Sequence, residues 1–148
     1  MKRQTNFKRK RRQAGHSVIE VALLAPWIFF LFVGALDFGF YSYAAICTQN
    51  AARIAAFHAT SSSDAAVDPN AALIARADVC AEMQALPNVG TACPSSVVQV
   101  TVTPQPFLGA DGEPAAQVSV TYQTVPLIPI PGVLMNQMTI TRVVEARI

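Results

Sequence analysis

The chain has 148 residues, of which 52% are hydrophobic and only 14% charged, with a formal net charge of +2. That length holds either one ordinary domain or a long anchor helix with a smaller domain behind it. An evenly mixed soluble surface is excluded by how the residues are distributed. Seven of the eleven Lys and Arg residues fall in the first twelve positions, and the rest of the chain carries four basic against nine acidic residues, a balance of −5.

The leader contains Lys2, Arg3, Lys8, Arg9, Lys10, Arg11 and Arg12. Such a cluster can neutralise phosphates on a nucleic acid, or it can hold one end of a membrane segment in the cytoplasm. Position favours the second reading, because an apolar run follows directly, and no nucleic-acid partner is expected.

That run extends from Val18 to Phe40, with sixteen uncharged residues between Glu20 and Asp37. A bilayer core needs roughly 20 residues of helix, so the span must include residues on both sides of these two acids, each lying near an interface. Pro26 would break a soluble helix, whereas in a membrane protein neighbouring groups satisfy the carbonyl it frees. A secretory signal peptide has the same basic and apolar order. Against it stand the acid at Glu20 and the aromatic continuation Phe38, Phe40, Tyr41 and Tyr43, with only Tyr43-Ala44-Ala45 offering a weak cleavage site. Glu20 is costly in hydrocarbon and therefore a candidate functional group, the alternative being a carboxylate that snorkels to the headgroups.

The segment Arg11-Arg12-Gln13-Ala14-Gly15-His16-Ser17-Val18-Ile19-Glu20-Val21-Ala22-Leu23-Leu24-Ala25-Pro26 resembles the signature of TadE-like proteins, minor pseudopilins of tight-adherence (Tad) pilus systems. The likeness continues through the Ala-rich Gln49-Asn50-Ala51-Ala52-Arg53-Ile54-Ala55-Ala56. The resemblance implies cleavage by a prepilin peptidase between Gly15 and His16, and a part in assembling a surface filament used for adhesion. His16 then occupies a first mature position where small or aromatic residues are common. Its new amine would sit beside Glu20, the fifth mature residue, and a carboxylate in low dielectric attracts an amine strongly enough to align an incoming subunit. Other pilins and the assembly machinery are the partners so implied.

Helical spacing continues from Phe38 to about Ala59. Tyr43, Cys47, Asn50, Ile54 and Phe57 recur at intervals of three and four as a mostly apolar stripe, with Ser42, Gln49 and Arg53 on a polar strip beside it. Ala44, Thr48, Ala51 and Ala55 form a face of small side chains that permits close helix approach, either to neighbouring stems or to the protein's own C-terminal part. Thr60 to Asp64 reads as a polar linker. Asp68-Pro69 has the form of a helix start, Asp68 able to cap exposed backbone donors and Pro69 fitting the first helical position, and Leu73, Ile74, Ala77, Cys80 and Ala81 give the second helix an apolar face up to Pro87.

Strand signals follow. Val98, Val100 and Val102 alternate with polar residues, as do Ala116, Val118, Val120 and Tyr122, and Met138 to Ile148 is a third, less regular strand. Between the first two, Pro104 to Pro114 with Asp111-Gly112 is rich in turn residues. Pro126-Leu-Ile-Pro-Ile-Pro-Gly132 is too proline-rich for a central strand and too apolar for an ordinary exposed loop; it fits a subunit contact, the membrane face or a cover over its own core.

Cys80 and Cys93 flank a short loop, and a disulfide between them is permitted in an oxidising periplasm, free thiols being the other reading. Cys47 lies on the stem as an unpaired packing residue. The spacing is not CxxC, and with only His16 and His58 to assist, no zinc site is expected. No nucleophile elbow, P-loop or dinucleotide fingerprint is present, so neither enzymatic activity nor a cofactor is expected.

The expectation is thus an α+β protein of three parts. A basic cytoplasmic leader spans residues 1–15, a transmembrane and stem helix 16–59, and a periplasmic head of one helix and a small antiparallel sheet 60–148. Its setting would be a bacterial inner membrane, crossed once. An uncleaved membrane-anchored scaffold of a secretion or pilus machine, and an exported binding domain behind an ordinary signal peptide, are the competing functions.

Overall fold

The computed structural model describes residues 7–61, 68, 70–90, 93, 96–103, 107–126 and 137–148, with side chains from residue 16 onward. Helix α1 runs from Phe7 to Ala59 and helix α2 from Ala71 to Met83, followed by strands β1 (Val98–Val102), β2 (Ala115–Gln123) and β3 (Thr139–Arg147). The fold class is α+β, a long N-terminal apolar helix, a second helix and a three-stranded antiparallel sheet. The chain divides into two compact units, Met1–Phe38 and Gly39–Ile148, the boundary falling inside α1.

In the first unit α1 continues through Pro26, although that residue offers no N–H to the preceding turn. In the second unit, β2 is the central strand, with Val100 opposite Val120 and Val120 opposite Arg142. Even-numbered β2 residues from Ala116 to Tyr122 are all buried, so the period-2 pattern read from the sequence marks the face that meets the helices. Thr124 closes the end of the β2–β3 pair. Its backbone N–H and its Oγ1 both donate to the Met138 carbonyl, at 2.9 and 3.0 Å, while Oγ1 accepts the Met138 N–H at 3.0 Å. At the opposite end, Asp111 pairs with Arg147, and Gly112 takes φ +83°, a left-handed turn conformation that suits glycine.

The core of this unit is built from small and β-branched side chains. Ala44, Ala51, Ala52, Ala55 and Ala56 of α1 join Ala75, Val79 and Met83 of α2, Leu86 and Val89 beyond it, and Val98, Val100, Val118, Val120 and Tyr122 of the sheet. Two readings of α2 are corrected. Its buried residues are Ala75, Val79 and Met83, one per turn, while Leu73 is 61% and Ile74 39% exposed. The two bulkiest side chains near the start of the helix dominate its sequence pattern, but the buried face runs through Ala75, Val79 and Met83 and continues into Leu86 and Val89, which deepen it. Asn70, not Asp68, is the N-cap residue. Asp68 instead makes an Asx turn ahead of the helix, its Oδ1 accepting the Asn70 N–H at 2.7 Å. Pro69 and the segment 127–136 lie outside the described residues, as does most of the polar linker.

Tyr122 ties the sheet to the end of α2. Its ring is fully buried, and its hydroxyl donates to the Pro87 carbonyl at 2.9 Å. Burial pushes the phenol's pKa up, since the charged form loses solvation. A folded-state pKa above the unfolded value stabilises the fold below about pH 10, and this contribution is lost as pH rises through the folded value. Tyr122→Phe should therefore cost about 1 kcal/mol at neutral pH by loss of one hydrogen bond and should remove part of the alkaline loss of stability. Urea unfolding of the full chain in neutral detergent at neutral and alkaline pH measures both effects.

Candidate functional site

The candidate site is α1 itself, in two stretches of different character. From His16 to Phe32 every residue is exposed, including Trp27 at 69% and Leu31 at 74%. Among the described residues this is the one helix long and apolar enough to cross a membrane, its most apolar stretch having a mean hydropathy of 2.2 with 6% buried. A helix that is apolar all round and unburied has no stable place in water, and lipid or other apolar helices must cover it. Beside Pro26, Val21, Leu24, Ala25, Ile28, Phe29 and Phe32 form a groove of about 470 Å³ along it.

Gly15 and His16 lie on the same uninterrupted helix. His16 and Glu20 are both exposed, and their spacing of four places them on one helix face. Asp37, read from the sequence as an acid near an interface, is only 3% exposed, and among the described residues nothing donates to its Oδ1. Nothing in the spacing signalled that burial. An acid bounding an apolar run looks the same in sequence whether it faces water or is covered.

From Ala44 onward α1 has two faces. Ala44, Thr48, Ala51 and Ala55 are all fully buried, within the second unit. Thr48 satisfies its hydroxyl by donating to the Ala44 carbonyl one turn back, at 2.7 Å. The small-residue face is thus occupied by the protein's own α2 and sheet. Of the stripe read as apolar, Cys47 packs against the core, and the rest points the other way. Tyr43 is 50%, Ile54 44% and Phe57 77% exposed, and Ile46 beside them is 60% exposed.

Cys80 on α2 and Cys93 are joined, with Cα atoms 5.6 Å apart, and Cys47 is free. Near the junction of α1 and α2, His58 Nδ1 meets Asp78 Oδ2 at 2.8 Å. Among the described residues no three His, Cys, Asp or Glu side chains converge as metal ligands.

A single exposed apolar helix ahead of a small α+β unit suggests a membrane anchor. The family model described as TadE-like protein matches residues 15–56, which takes in Gly15, Glu20, the exposed apolar stretch and most of the buried alanine face. The match is consistent with a TadE-like protein of Tad pilus systems, and the family implies association with the membrane and with pilus machinery. No curated protein and no solved structure matches the chain.

The two faces of the stem differ in what they tolerate. Ala51→Leu forces extra methylenes into a filled space and should destabilise the second unit by about 1–3 kcal/mol, whereas Phe57→Ala should change stability by less than about 0.5 kcal/mol. Denaturant unfolding of both variants tests this, and equal effects would contradict the assignment of faces.

Proposed function

We propose that the protein is a pilin-like minor subunit, a pseudopilin, needed to assemble a Tad or type IVb surface pilus used in adhesion. The observation that carries this reading is the exposure along α1. The apolar stretch from His16 to Phe32 is uncovered on all sides, and beyond it Tyr43, Ile46, Ile54 and Phe57 extend an apolar stripe along the stem opposite the buried alanines. A membrane covers the first, and neighbouring stems in a filament cover both.

On this reading the basic leader stays in the cytoplasm, a prepilin peptidase cuts after Gly15, and the head faces the periplasm. The apolar segment is stored in the inner membrane until assembly withdraws it. Glu20, exposed on the helix one turn from His16, offers its carboxylate to the terminal amine of a neighbour. In hydrocarbon that pair gains far more than it would in water. A second reading is an uncleaved, permanently anchored scaffold of the same machine. The continuity of α1 through Gly15 and His16 favours it, because a peptidase needs the helix opened there.

Replacing Gly15 with Leu should leave a species heavier by the fifteen-residue leader, seen by intact mass of the membrane fraction. Co-migration of variant and wild type would overturn cleavage and leave the scaffold. Glu20→Ala should insert normally, since it removes an acid from the apolar segment, yet assemble poorly. Filament yield equal to wild type by electron microscopy would remove the pairing role.

A further inference from the structure

In the second unit, Ala45, Ile46, Gln49, Asn50 and Arg53 of α1 and Arg142 of β3 line an open groove of about 420 Å³. The two arginines reach it from different elements. Arg53 comes from the solvent side of the stem. Arg142 lies opposite Val120, which in turn lies opposite Val100, so it occupies a core-facing position of an edge strand that a valine fills on each of the other two. A guanidinium at that position cannot join the core; it lines the groove beside the stem residues, its Nη1 donating to the Thr141 carbonyl at 3.3 Å.

No acid lines the groove among the described residues. Elsewhere in the unit Arg147 pairs with Asp111 and His58 with Asp78. The unit as a whole holds four arginines against seven acids, so a groove lined by two arginines and no carboxylate runs against its overall charge. Two cations lining one groove favour an anion between them. Two planar guanidinium forks flanked by the Gln49 and Asn50 amides are suited to carboxylate oxygens, which accept paired hydrogen bonds from arginine. Ile46, 60% exposed, adds an apolar contact that a free anion could not use.

We propose that this groove is a docking site for an acidic peptide segment of a protein partner, a carboxylate bridging Arg53 and Arg142 while an adjacent apolar residue covers Ile46. A lipid headgroup is the other anion at hand, and the vesicle arm of the test below separates it from the peptide. The site depends neither on leader cleavage nor on filament formation.

The test uses the full chain in neutral detergent and a fluorescent peptide of alternating Glu and Leu, read by anisotropy. Arg53→Gln and Arg142→Gln should each weaken binding about fivefold or more, and the double variant should abolish it. Arg76→Gln, which removes an exposed arginine of α2 outside the groove, should stay within about twofold. Raising salt from about 0.02 to about 0.3 M should weaken wild-type binding several-fold. Circular dichroism confirms that each variant is folded. Four results would each overturn the proposal. These are no peptide binding by wild type at low salt, binding unaffected by the double variant, arginine-dependent binding of inorganic phosphate or phosphatidylglycerol vesicles but not of the peptide, and aggregation of the variants with peptide binding intact. The last would make Arg142 a guard against edge-to-edge strand pairing.

Discussion

Everything in this chain depends on one helix satisfying two environments in succession. Over its first exposed stretch α1 offers apolar side chains all round, with Trp27, Phe29, Phe30 and Phe32 among them; such a surface is stable only where water is absent. From Ala44 it offers alanines on one side and larger residues on the other, and the alanines are buried. Small side chains let α2 and the sheet come close to the helix backbone. They contribute little apolar area themselves, so the depth of the core falls to Val79, Met83, Val118, Val120 and Tyr122 from the other elements. A bulky inward face on the stem would thicken the core but hold those elements away.

A core of alanine and valine is thin, and the fold reinforces it where α2 ends. The Cys80–Cys93 bond, the hydrogen bond from Tyr122 to the Pro87 carbonyl, and the buried Leu86 and Val89 all act within the stretch that carries the chain from α2 into β1. A cross-link there restricts the unfolded chain, and the bond from Tyr122 keeps its buried hydroxyl from going unpaired. Both effects suit a small unit that cannot enlarge its core.

How far the architecture could be read beforehand followed from how each signal works. The strands were legible because alternation is strict in β1 and β2. Three valines in one and four inward residues in the other fix which face is buried, and a slip of one residue would turn them all outwards. The apolar span was legible from length and hydropathy alone. The helix faces were not. On α1 the eye goes to Tyr43, Ile54 and Phe57, yet the alanines lie inside, because burial on a helix packed closely against its neighbours selects for fit as well as hydrophobicity. On α2 Leu73 and Ile74 outweighed Ala75 in the sequence for the same reason. Asp68 looked like a cap by residue type, but whether a carboxylate caps or turns depends on where the first helical N–H falls. The Arg53–Arg142 groove had no signal at all, since one arginine sits on the first helix and the other on the last strand, and only the register beside Val120 brings them to one place.

The two acids that bound the uncharged run show how environment separates identical chemistry. Glu20 and Asp37 are equivalent in sequence terms, each a carboxylate at one end of sixteen uncharged residues. Glu20 is exposed, whereas Asp37 is 3% exposed with an oxygen that no described residue satisfies. A carboxylate in an apolar setting is strongly driven to find a donor, but only an uncovered one can take that donor from another molecule without first being unpacked. Of the two carboxylates, only Glu20 is open to another molecule as the chain stands.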